Sequence, residues 1–411
     1  MEYIVINEIT VIVSVLLLLS ALITPMLNGF FRKIEVQGVD FVDFRRDSAK
    51  DASIVALADP KVQGVQEVQE VQEVAPPVSI ILTPHENPQE LERNLPLILN
   101  QKYAPGFEVI VVIWKGDHET EDVLKRFVDD PHLYTTYVPD SARYMSKKKL
   151  AITLGVKAAK NEWLVFTDIE SQPASDQWLS LMAQHCDESK DIVLGYTDYE
   201  EGTSDYRRFE HLHTAFYLLR EDLKATPYRH NCCNMLLRKS VFIKGDGFRG
   251  NLKFLRGEYD FLVNKYADRN NTAVELHPDS WTIEQEPSDK SWMNKHLFYL
   301  ENRQEMDRSL RHRLIYNTDQ CAQHFNYIFI IAASIYSVLS WQWIITAAAA
   351  ISLIITVIWR TIIAKKALRL FYQELGWWKI VPYEVSILYH NMNYLIRHHK
   401  ADKYDFICHK V

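Results

Sequence analysis

The chain has 411 residues, of which 47% are hydrophobic and 24% charged, and its formal net charge is −7. This length allows one large or two ordinary domains, and this mixture of apolar and charged residues excludes a disordered chain. The acidic balance argues against a dedicated nucleic-acid-binding protein, which usually carries a basic excess. The 5 cysteines, without a C-x-x-C spacing, argue against a disulfide scaffold and a zinc ribbon.

The N-terminal segment is an uncharged apolar run. No charged residue lies between Glu8 and Arg32, and the run is long enough for one membrane-spanning helix of about 20 residues. A cleaved signal peptide is the alternative, but the preceding flank carries Glu2 and Glu8 rather than basic residues. We therefore predict a transmembrane anchor over 1–33. Because Arg32 and Lys33 follow it, the positive-inside rule places the next part of the chain in the cytosol.

A second apolar block lies near the C-terminus. Between Gln320 and Trp359 only His324 can carry a charge, and a single helix of that length would be about 60 Å long, twice the hydrocarbon thickness of a bilayer. Basic residues flank the block on both sides, and two cytosolic flanks require an even number of crossings. We therefore predict a transmembrane hairpin over 324–360 that turns near Ser340–Trp343.

The segments around the hairpin are amphipathic. Residues 301–323 are predicted to form a basic connector. Residues 361–411 place Trp377 and Trp378 among charged side chains, which is typical of a segment at a membrane interface. A fourth span is the alternative for this tail, although Lys379 would fall inside it.

Residues 34–77 are predicted to form a linker. Their centre, VQGVQEVQEVQEV (62–74), repeats every three residues and places valine on no constant face of a helix or a strand. The composition is typical of a tether between a membrane segment and a domain.

From Val78 onward, apolar strands alternate with helical segments. The predicted strands are VSIILT (78–83), EVIVVIW (108–114), LYTTYV (133–138), EWLVFTD (162–168) and DIVLGY (191–196). The predicted helices begin after Asn87, which precedes Pro88 at the first helical position, at Ser146, and after Ser175. This alternation predicts an α/β fold with a mostly parallel sheet covered by helices on both faces. Ligands of such sheets bind at the C-terminal ends of the strands.

Two carboxylates follow the apolar strand 162–168. Asp168 and Glu170 stand at i and i+2, and in an extended chain such side chains point the same way, as a Mg²⁺ or Mn²⁺ bound to a diphosphate requires. Acid-x-acid pairs are frequent by chance, so position rather than spacing supports a site. A strand this apolar should not end in paired carboxylates without a partner, and a solvated strand end is the alternative.

Two further charged groups stand at helix starts. Glu258 and Asp260 open an amphipathic helix, where they are either partners of the helix dipole or a general base for an acceptor hydroxyl. Lys147–Lys149 oppose the dipole of their helix, so they indicate either a nearby anionic ligand or a solvated face.

With these segments in order, the chain resembles the family 2 glycosyltransferases, specifically bacterial members with one N-terminal span and a C-terminal pair. The resemblance covers 78–300 and rests on VSIILTPHENPQELERNLPLILNQ, SKKKLAITLGVKAAKNEWLVFTDIESQP and RGEYDFLVNKYA. It implies a GT-A fold with a mixed, mostly parallel sheet, a nucleotide-sugar donor, a divalent cation and inverting transfer.

The resemblance also implies roles for individual residues. Asp168 and Glu170 take the metal and diphosphate role, and either Glu258 or Asp260 is the catalytic base. The residues expected at the donor are His85, Glu86, Trp114, Asp117, Lys149 and Asp168. The segment SDKSWMNKH (288–296) stands where the family has a tryptophan beside basic residues, so Trp292, Lys290 and Lys295 are expected near the acceptor or the diphosphate.

The sequence departs from the family pattern at three places. The second strand ends in Trp114 and Lys115 where the family usually has an aspartate pair, and Asp117 is a displaced carboxylate there. Glu170 replaces the last aspartate of the D-x-D element, and Tyr259 replaces an acidic residue. These changes bear on the identity of the donor more than on the class of reaction.

The prediction from the sequence is a multi-pass glycosyltransferase of the bacterial inner membrane with a cytosolic catalytic domain. Its expected partners are a nucleotide-sugar donor, a lipid-linked or membrane-proximal glycan acceptor and membrane lipid, without nucleic acid, in cell-surface polysaccharide assembly. A processive polysaccharide synthase is one alternative, although three spans give little material for a channel. A degenerate glycosyltransferase that acts as a membrane assembly factor is the other, because the aspartate pair is missing.

Overall fold

The computed structural model describes residues 7–30, 34, 75–139 and 146–408, apart from the side chain of Tyr316. Most of the predicted linker 34–77 therefore lies outside the described residues. The helices and strands that follow are numbered in chain order within these ranges.

The domain is built on two sheets. Their strands are β1 (Val78–Leu82), β2 (Phe107–Trp114), β3 (Leu133–Val138), β4 (Trp163–Thr167), β5 (Ser171–Pro173), β6 (Ile192–Leu194), β7 (Thr197–Tyr199), β8 (Asn234–Arg238), β9 (Thr272–Val274) and β10 (Thr282–Glu284). The larger sheet has the order β3-β2-β1-β4-β8-β6-β9, and the smaller one the order β5-β10-β7. In the larger sheet only β8 runs antiparallel to its neighbours, β4 and β6. The predicted mixed, mostly parallel sheet is confirmed.

Helices cover both faces of this sheet. The helices of the described residues are α1 (Glu8–Ile23), α2 (Pro88–Leu99), α3 (His118–Lys125), α4 (Lys147–Ala158), α5 (Trp178–Ala183), α6 (Asp205–Asp222), α7 (Lys239–Lys244), α8 (Glu258–Tyr266), α9 (Asp289–Asn302), α10 (Leu310–Leu339), α11 (Trp343–Leu370) and α12 (Trp377–Lys400). One core lies between the sheet and α2, α3 and α5. The other lies beneath α4, α6 and α8 and also includes side chains of α11 and α12. The C-terminal helices therefore pack against the core of the domain.

Strand alternation explains why the sheet has two cores. In β1, Ile80 and Leu82 face the first core, whereas Ile81 faces the second. All five residues of this strand are buried, as they are in β4. The continuous apolar runs of the sequence are therefore strands packed on both faces, which is the usual state of a parallel sheet.

Among the described residues, three helical segments are long and apolar enough to cross a membrane: Glu8–Leu27, Leu310–Leu339 and Trp343–Leu370. The last two are antiparallel neighbours joined at Ser340–Gln342, within the region where the sequence predicts a hairpin turn. The helix α10 begins at Leu310, inside the segment 301–323 that was predicted as a connector.

A buried ion cluster ties these helices together, and we call Arg360, Asp319, Glu384 and Asn28 the Arg360 cluster. The guanidinium of Arg360 in α11 pairs with Glu384 of α12 at 2.7 Å and with Asp319 of α10 at 3.1 Å. The amide of Asn28, just beyond α1, donates to the other oxygen of Glu384 at 2.6 Å. Arg360 and Glu384 are fully buried. Arg360 is one of the basic residues that follow the second apolar block, and in the structure its charge is paired with two carboxylates inside the helix bundle.

At two predicted helix starts the polar side chain before the helix makes no capping bond to it, although the first of these helices begins at Pro88 as predicted. Asn87 precedes α2, but its side chain makes no capping bond and instead donates to Glu170 at 3.1 Å. The helix predicted after Ser175 begins only at Trp178, because the Ser175 hydroxyl donates to the carbonyl of Asp279 and its oxygen accepts from the Gln177 amide. The side chains of Asn87 and Ser175, which the sequence assigns to helix caps, thus form hydrogen bonds with residues distant in sequence instead.

Candidate functional site

Two adjoining cavities open at the C-terminal ends of β1, β2 and β4. The Trp114 cavity, of about 480 Å³, is lined by His85, Glu86, Trp114 and Lys147. The Asp260 cavity, of about 460 Å³, is lined by the end of β7, the segment before β8, the end of β10 with the residues after it, and the start of α8. Both cavities share a wall, which consists of Lys148, Asp168, Glu170, Arg256, Asn294 and Phe298. We call the two cavities together the groove.

Asp168 stands at the centre of this shared wall, directly after β4. Its Oδ1 accepts hydrogen bonds from Lys148 at 2.6 Å and from the Tyr259 hydroxyl at 2.8 Å, and its Oδ2 accepts from the Cys233 thiol at 3.1 Å. Burial opposes ionisation of this carboxyl, but the Lys148 ammonium and the three hydrogen bonds outweigh burial and hold the pKa of Asp168 below its ordinary value. The carboxylate is therefore ionised at neutral pH.

Glu170 lies beside Asp168 but has fewer partners. Burial and then the negative charge of Asp168 raise the pKa of Glu170 above its ordinary value. Two carboxylates crowded into a partly buried wall repel each other, and a bound cation would relieve that repulsion. Their oxygens are the ligands that Mg²⁺ and Mn²⁺ prefer.

The first turn of α4 supplies the cation opposite this pair. Ser146 caps the helix by accepting from the Lys149 amide at 3.2 Å, and the rotation of about 100° per residue along the helix directs successive lysines to different sides. Lys148 reaches Asp168, whereas Lys147 lies over the Trp114 ring at 5.0 Å. Trp114 itself ends β2 and lies 6.2 Å from the His85 ring, so an aromatic wall stands in the Trp114 cavity.

Lys149 does not line the groove, which corrects its expected place at the donor. It is fully buried, and its ammonium donates to the carbonyls of Asn251 at 2.8 Å and Phe254 at 2.5 Å. Burial lowers the pKa of Lys149 to about 8. Lys148, one residue earlier, has the position in the groove that the sequence assigned to Lys149.

We expect the Lys149→Met variant to lose about 1–3 kcal/mol of unfolding free energy, because it leaves two buried carbonyls without their donor. Chemical denaturation of the protein in detergent measures this loss. Lys157→Met, an exposed position of the same helix, is the control and should change the free energy by less than about 0.5 kcal/mol. Equal midpoints for both variants would show that the buried ammonium is dispensable.

Asp117 also lies outside the groove, because it caps α3. Its carboxylate accepts from the amide and the hydroxyl of Thr120 at 3.2 and 2.8 Å. The family that this chain resembles usually has an aspartate pair at the end of the second strand. Here the end of β2 contributes Trp114 to the lining of the cavity, and Asp117 does not line it.

The start of α8 presents both candidate bases to the Asp260 cavity. Gly257 precedes them with φ of 92°, a left-handed conformation that disfavours other residues, and an added Cβ would meet Asn302 at 2.8 Å. Asp260 is half-buried, and its Oδ1 accepts from the backbone amides of His230 at 3.2 Å and Asn231 at 2.9 Å. Glu258 is only 4% exposed. Asp260 is thus the more accessible and the better oriented carboxylate.

The three residues expected near the acceptor or the diphosphate are separated by the structure. Lys295 lines the Asp260 cavity and donates to the Tyr199 hydroxyl at 3.0 Å. Lys290 and Trp292 line a third cavity, of about 640 Å³, between α6, α9 and α12. Asn294 lines all three cavities, so the third one adjoins the groove.

Several groove residues are not identified by the sequence. Tyr259 and Cys233 hold Asp168, and Glu284 at the end of β10 is a further, half-buried carboxyl of the Asp260 cavity, where desolvation raises its pKa. Tyr259 stands at an acidic position of the resembled family, which is a signal in the sequence. Cys233 and Glu284 come from segments without such a signal.

Residues 79–243 match the family model described as Glycosyl transferase family 2. Among solved structures, the chain is similar to the mannosyltransferase PcManGT from Pyrobaculum calidifontis in complex with GDP-Man and Mn2+, at 15% identity and a TM-score of 0.46, over 89% of this chain and 100% of that one. It is also similar to residues 1–349 of S. aureus TarS in complex with UDP-GlcNAc, at 12% identity and a TM-score of 0.39, over 57% of this chain and 68% of that one. Among curated proteins, no significant match was found.

Proposed function

We propose that this chain, of which residues 79–243 match the family 2 glycosyltransferase model, is a glycosyltransferase that transfers a sugar from a nucleotide-sugar donor to a lipid-linked or membrane-proximal glycan acceptor with inversion. The observation that supports this most is the ionised Asp168 between two cavities, one with an aromatic wall and one with an oriented carboxylate. The first suits a nucleoside, and the second suits the acceptor hydroxyl. The catalytic domain is proposed to act on the cytosolic face of a bacterial inner membrane, in cell-surface polysaccharide assembly.

Asp168 and Glu170 would hold a divalent cation, Mg²⁺ or Mn²⁺. Among the described residues, no three His, Cys, Asp or Glu side chains are grouped for a metal ion. Two carboxylates are nevertheless a common protein contribution to such a site, because Mg²⁺ keeps several waters and also binds substrate phosphates. When bound, the cation would neutralise the diphosphate of the leaving nucleotide.

Asp260 is the base that the geometry favours. Two backbone amides fix its carboxylate in the cavity, whereas Glu258 is almost completely buried. Asp260 takes the proton from the acceptor hydroxyl as that oxygen bonds to the anomeric carbon. The bond from this carbon to the diphosphate oxygen breaks on the opposite side, and the nucleoside diphosphate leaves with the electron pair. Lys148 remains beside Asp168 to offset the negative charge at the shared wall.

We expect Asp260→Asn to lower kcat by about 10²–10⁴-fold, the usual contribution of a general base, with little change in donor KM. The assay is single-turnover transfer from radiolabelled donor. Glu258→Gln, the matched control, should lower kcat by less than about tenfold because the Glu258 side chain is almost completely buried. The reverse order of effects would assign the base to Glu258.

Trp114 is proposed to stack on the base of the donor nucleotide. Aromatic stacking of a nucleobase is worth about 1–3 kcal/mol, so Trp114→Ala should weaken nucleotide binding by about 10–100-fold, while Trp114→Phe should retain most of it. Calorimetric titration with UDP and GDP measures both. Trp377→Ala, at a 63% exposed position of α12, is the control. Unchanged affinity in Trp114→Ala would contradict stacking.

The third cavity supports an acceptor that approaches from a membrane surface. Besides Lys290 it is lined by Arg397, which suits an anionic group of an acceptor, and by Arg207, which is paired with Glu286 and Asp289. On α12, Tyr389 and Ile396 are exposed and lie one turn either side of Asn393, which lines the cavity. An apolar helix face therefore borders a basic cavity that adjoins the groove.

The test is incubation of membranes containing the protein with a panel of radiolabelled nucleotide sugars, followed by extraction of lipid. We expect label from one donor to enter the lipid or membrane glycan fraction as a product of defined short length. A ladder of long products would favour a processive synthase. No affinity for any nucleotide sugar in the presence of Mn²⁺ would favour a membrane assembly factor and overturn the proposed donor site.

A further inference from the structure

The C-terminal segment Asp402–Cys408, which follows α12, is paired with the loop Arg249–Gly257 in front of α8. Ile407 forms an antiparallel bridge with Phe254. The Leu255 amide donates to the Phe406 carbonyl at 2.9 Å, and the Cys408 amide donates to the Lys253 carbonyl at 2.8 Å. A segment some 150 residues later in sequence thus supplies a short strand partner for a loop of the catalytic domain.

The same loop is fixed from two other directions. Lys149 donates to two of its carbonyls from α4, and Asn302 of α9 donates to the Arg256 carbonyl at 3.0 Å. The Phe406 ring is buried and packs edge-on against Phe298, which lies in the shared wall of the groove. The backbone before and after Arg256 is therefore defined by contacts on three sides.

This loop carries Arg256 into the shared wall of the groove. Its guanidinium is exposed, and within the described residues it takes part in no ion pair or side-chain hydrogen bond that engages Asp168 or Lys148. Burial and the charge of Asp168 raise the pKa of Glu170, and the positive charges of Lys148 and Arg256 offset part of that rise. Lys148 and Lys149 both have carboxylate or carbonyl partners, so Arg256 is a cation of the wall that is available to a ligand.

We propose that Arg256 binds the diphosphate of the donor and that the segment Asp402–Cys408 positions it. This rests on the proposed function, since it concerns the donor. A guanidinium presents a planar fork that matches two phosphate oxygens, and its bonds to phosphate are charge-assisted. Such a fork is effective only when its backbone is already ordered, because ordering a loop at the moment of binding costs affinity. The paired C-terminal segment orders it beforehand.

The arrangement also connects the donor site to the membrane-proximal helices. The segment continues directly from α12, which packs against α9 and α11. Glu384 of α12 belongs to the Arg360 cluster. The position of α12 is thereby transmitted to Arg256 through a few backbone hydrogen bonds.

Calorimetric titration of the full chain in detergent with UDP, GDP and the free nucleosides uridine and guanosine, with Mn²⁺ present, tests the role of Arg256. Arg256→Ala should weaken binding of the preferred diphosphate by about 10–100-fold and leave nucleoside binding unchanged, and Arg256→Lys should restore part of the loss. Equal diphosphate affinity in Arg256→Ala and the wild type would overturn this role.

Cys408→Pro tests the positioning, because proline removes the amide donor while the extended backbone of Ile407 (φ −122°, ψ 151°) already suits a residue before proline. We expect Cys408→Pro to weaken diphosphate binding in the wild-type background and to cause no further weakening when it is combined with Arg256→Ala. It should also increase hydrogen exchange of the Leu255 amide. Cys408→Ala, the control, keeps the backbone amide and should bind the diphosphate as tightly as the wild type does. Wild-type binding in Cys408→Pro overturns the positioning alone, whereas a wild-type protein that binds neither diphosphate overturns the donor site itself.

Discussion

We expect the Asp168→Asn variant to lose sugar transfer by at least about 10³-fold, because stabilisation of charge at a diphosphate is worth several kcal/mol and each 1.4 kcal/mol is tenfold. The substitution keeps the size of the side chain but removes the charge that pairs with Lys148 at 2.6 Å. It also removes one of the two carboxylates proposed for the cation. The measurement is initial rate of transfer from the preferred donor at saturating Mn²⁺.

Asp246→Asn is a suitable control for this substitution. Asp246 is a carboxylate of the same domain that pairs with Arg249 at the surface, and its φ of 57° is a conformation that asparagine adopts equally well. Transfer by this variant should remain within about twofold of the wild type, in line with the small effects of surface substitutions. A similar decrease in transfer rate in both variants would show that the effect of Asp168→Asn comes from damage to the folded protein and not from the groove.

The largest effect on stability is expected for Arg360→Met. This substitution leaves Asp319 and Glu384 buried without their cation, and breaking a buried ion pair in this way costs about 3–5 kcal/mol. We expect a lower midpoint of chemical denaturation in detergent and faster loss of α12 contacts, seen as increased proteolysis between α11 and α12.

The control for this prediction is the triple variant Arg360→Met, Asp319→Leu, Glu384→Gln, which removes all three charges together. Replacing a whole buried ion group by groups of similar volume is often neutral, so this variant should recover most of the stability that the single variant loses. If the single variant denatures at the wild-type midpoint, the Arg360 cluster does not hold the helices together.

The strands could be predicted from the sequence because each is a continuous apolar run. A sheet buried on both faces requires such runs, and VSIIL and WLVFT are fully buried as β1 and β4. Asp168 followed from the same reasoning, since a paired carboxylate after a buried strand needs a partner. The structure supplies that partner as Lys148, and also supplies Tyr259 and Cys233.

The sequence could not predict which of the neighbouring lysines at the start of α4 faces the groove. Lys148 and Lys149 differ by one position, or about 100° around α4, so one faces the groove and the other the protein interior. The choice depends on where the loop Arg249–Gly257 lies, and that loop is distant in sequence. The sequence contains no local pattern for this contact.

The C-terminal part shows the same limit. Its amphipathic pattern is visible in the sequence, but the pairing of Arg360 with Glu384 and the return of Ile407 to Phe254 are long-range contacts. Local propensity, spacing and charge describe α12 as a helix and cannot describe what it contacts. Arg256 begins the segment RGEYDFLVNKYA, whose acidic residues drew attention to it. That Arg256 itself lines the groove can be seen only in the folded structure.

The most direct test of the central claim is nucleotide release by the purified full chain, measured across a panel of nucleotide sugars with Mn²⁺ and a membrane extract as source of acceptor. The groove as described predicts that one donor gives release by the wild type and that Asp168→Asn abolishes it. Equal release by the wild type and Asp168→Asn, for every donor that is turned over, would contradict the assignment of the groove as the glycosyltransferase site.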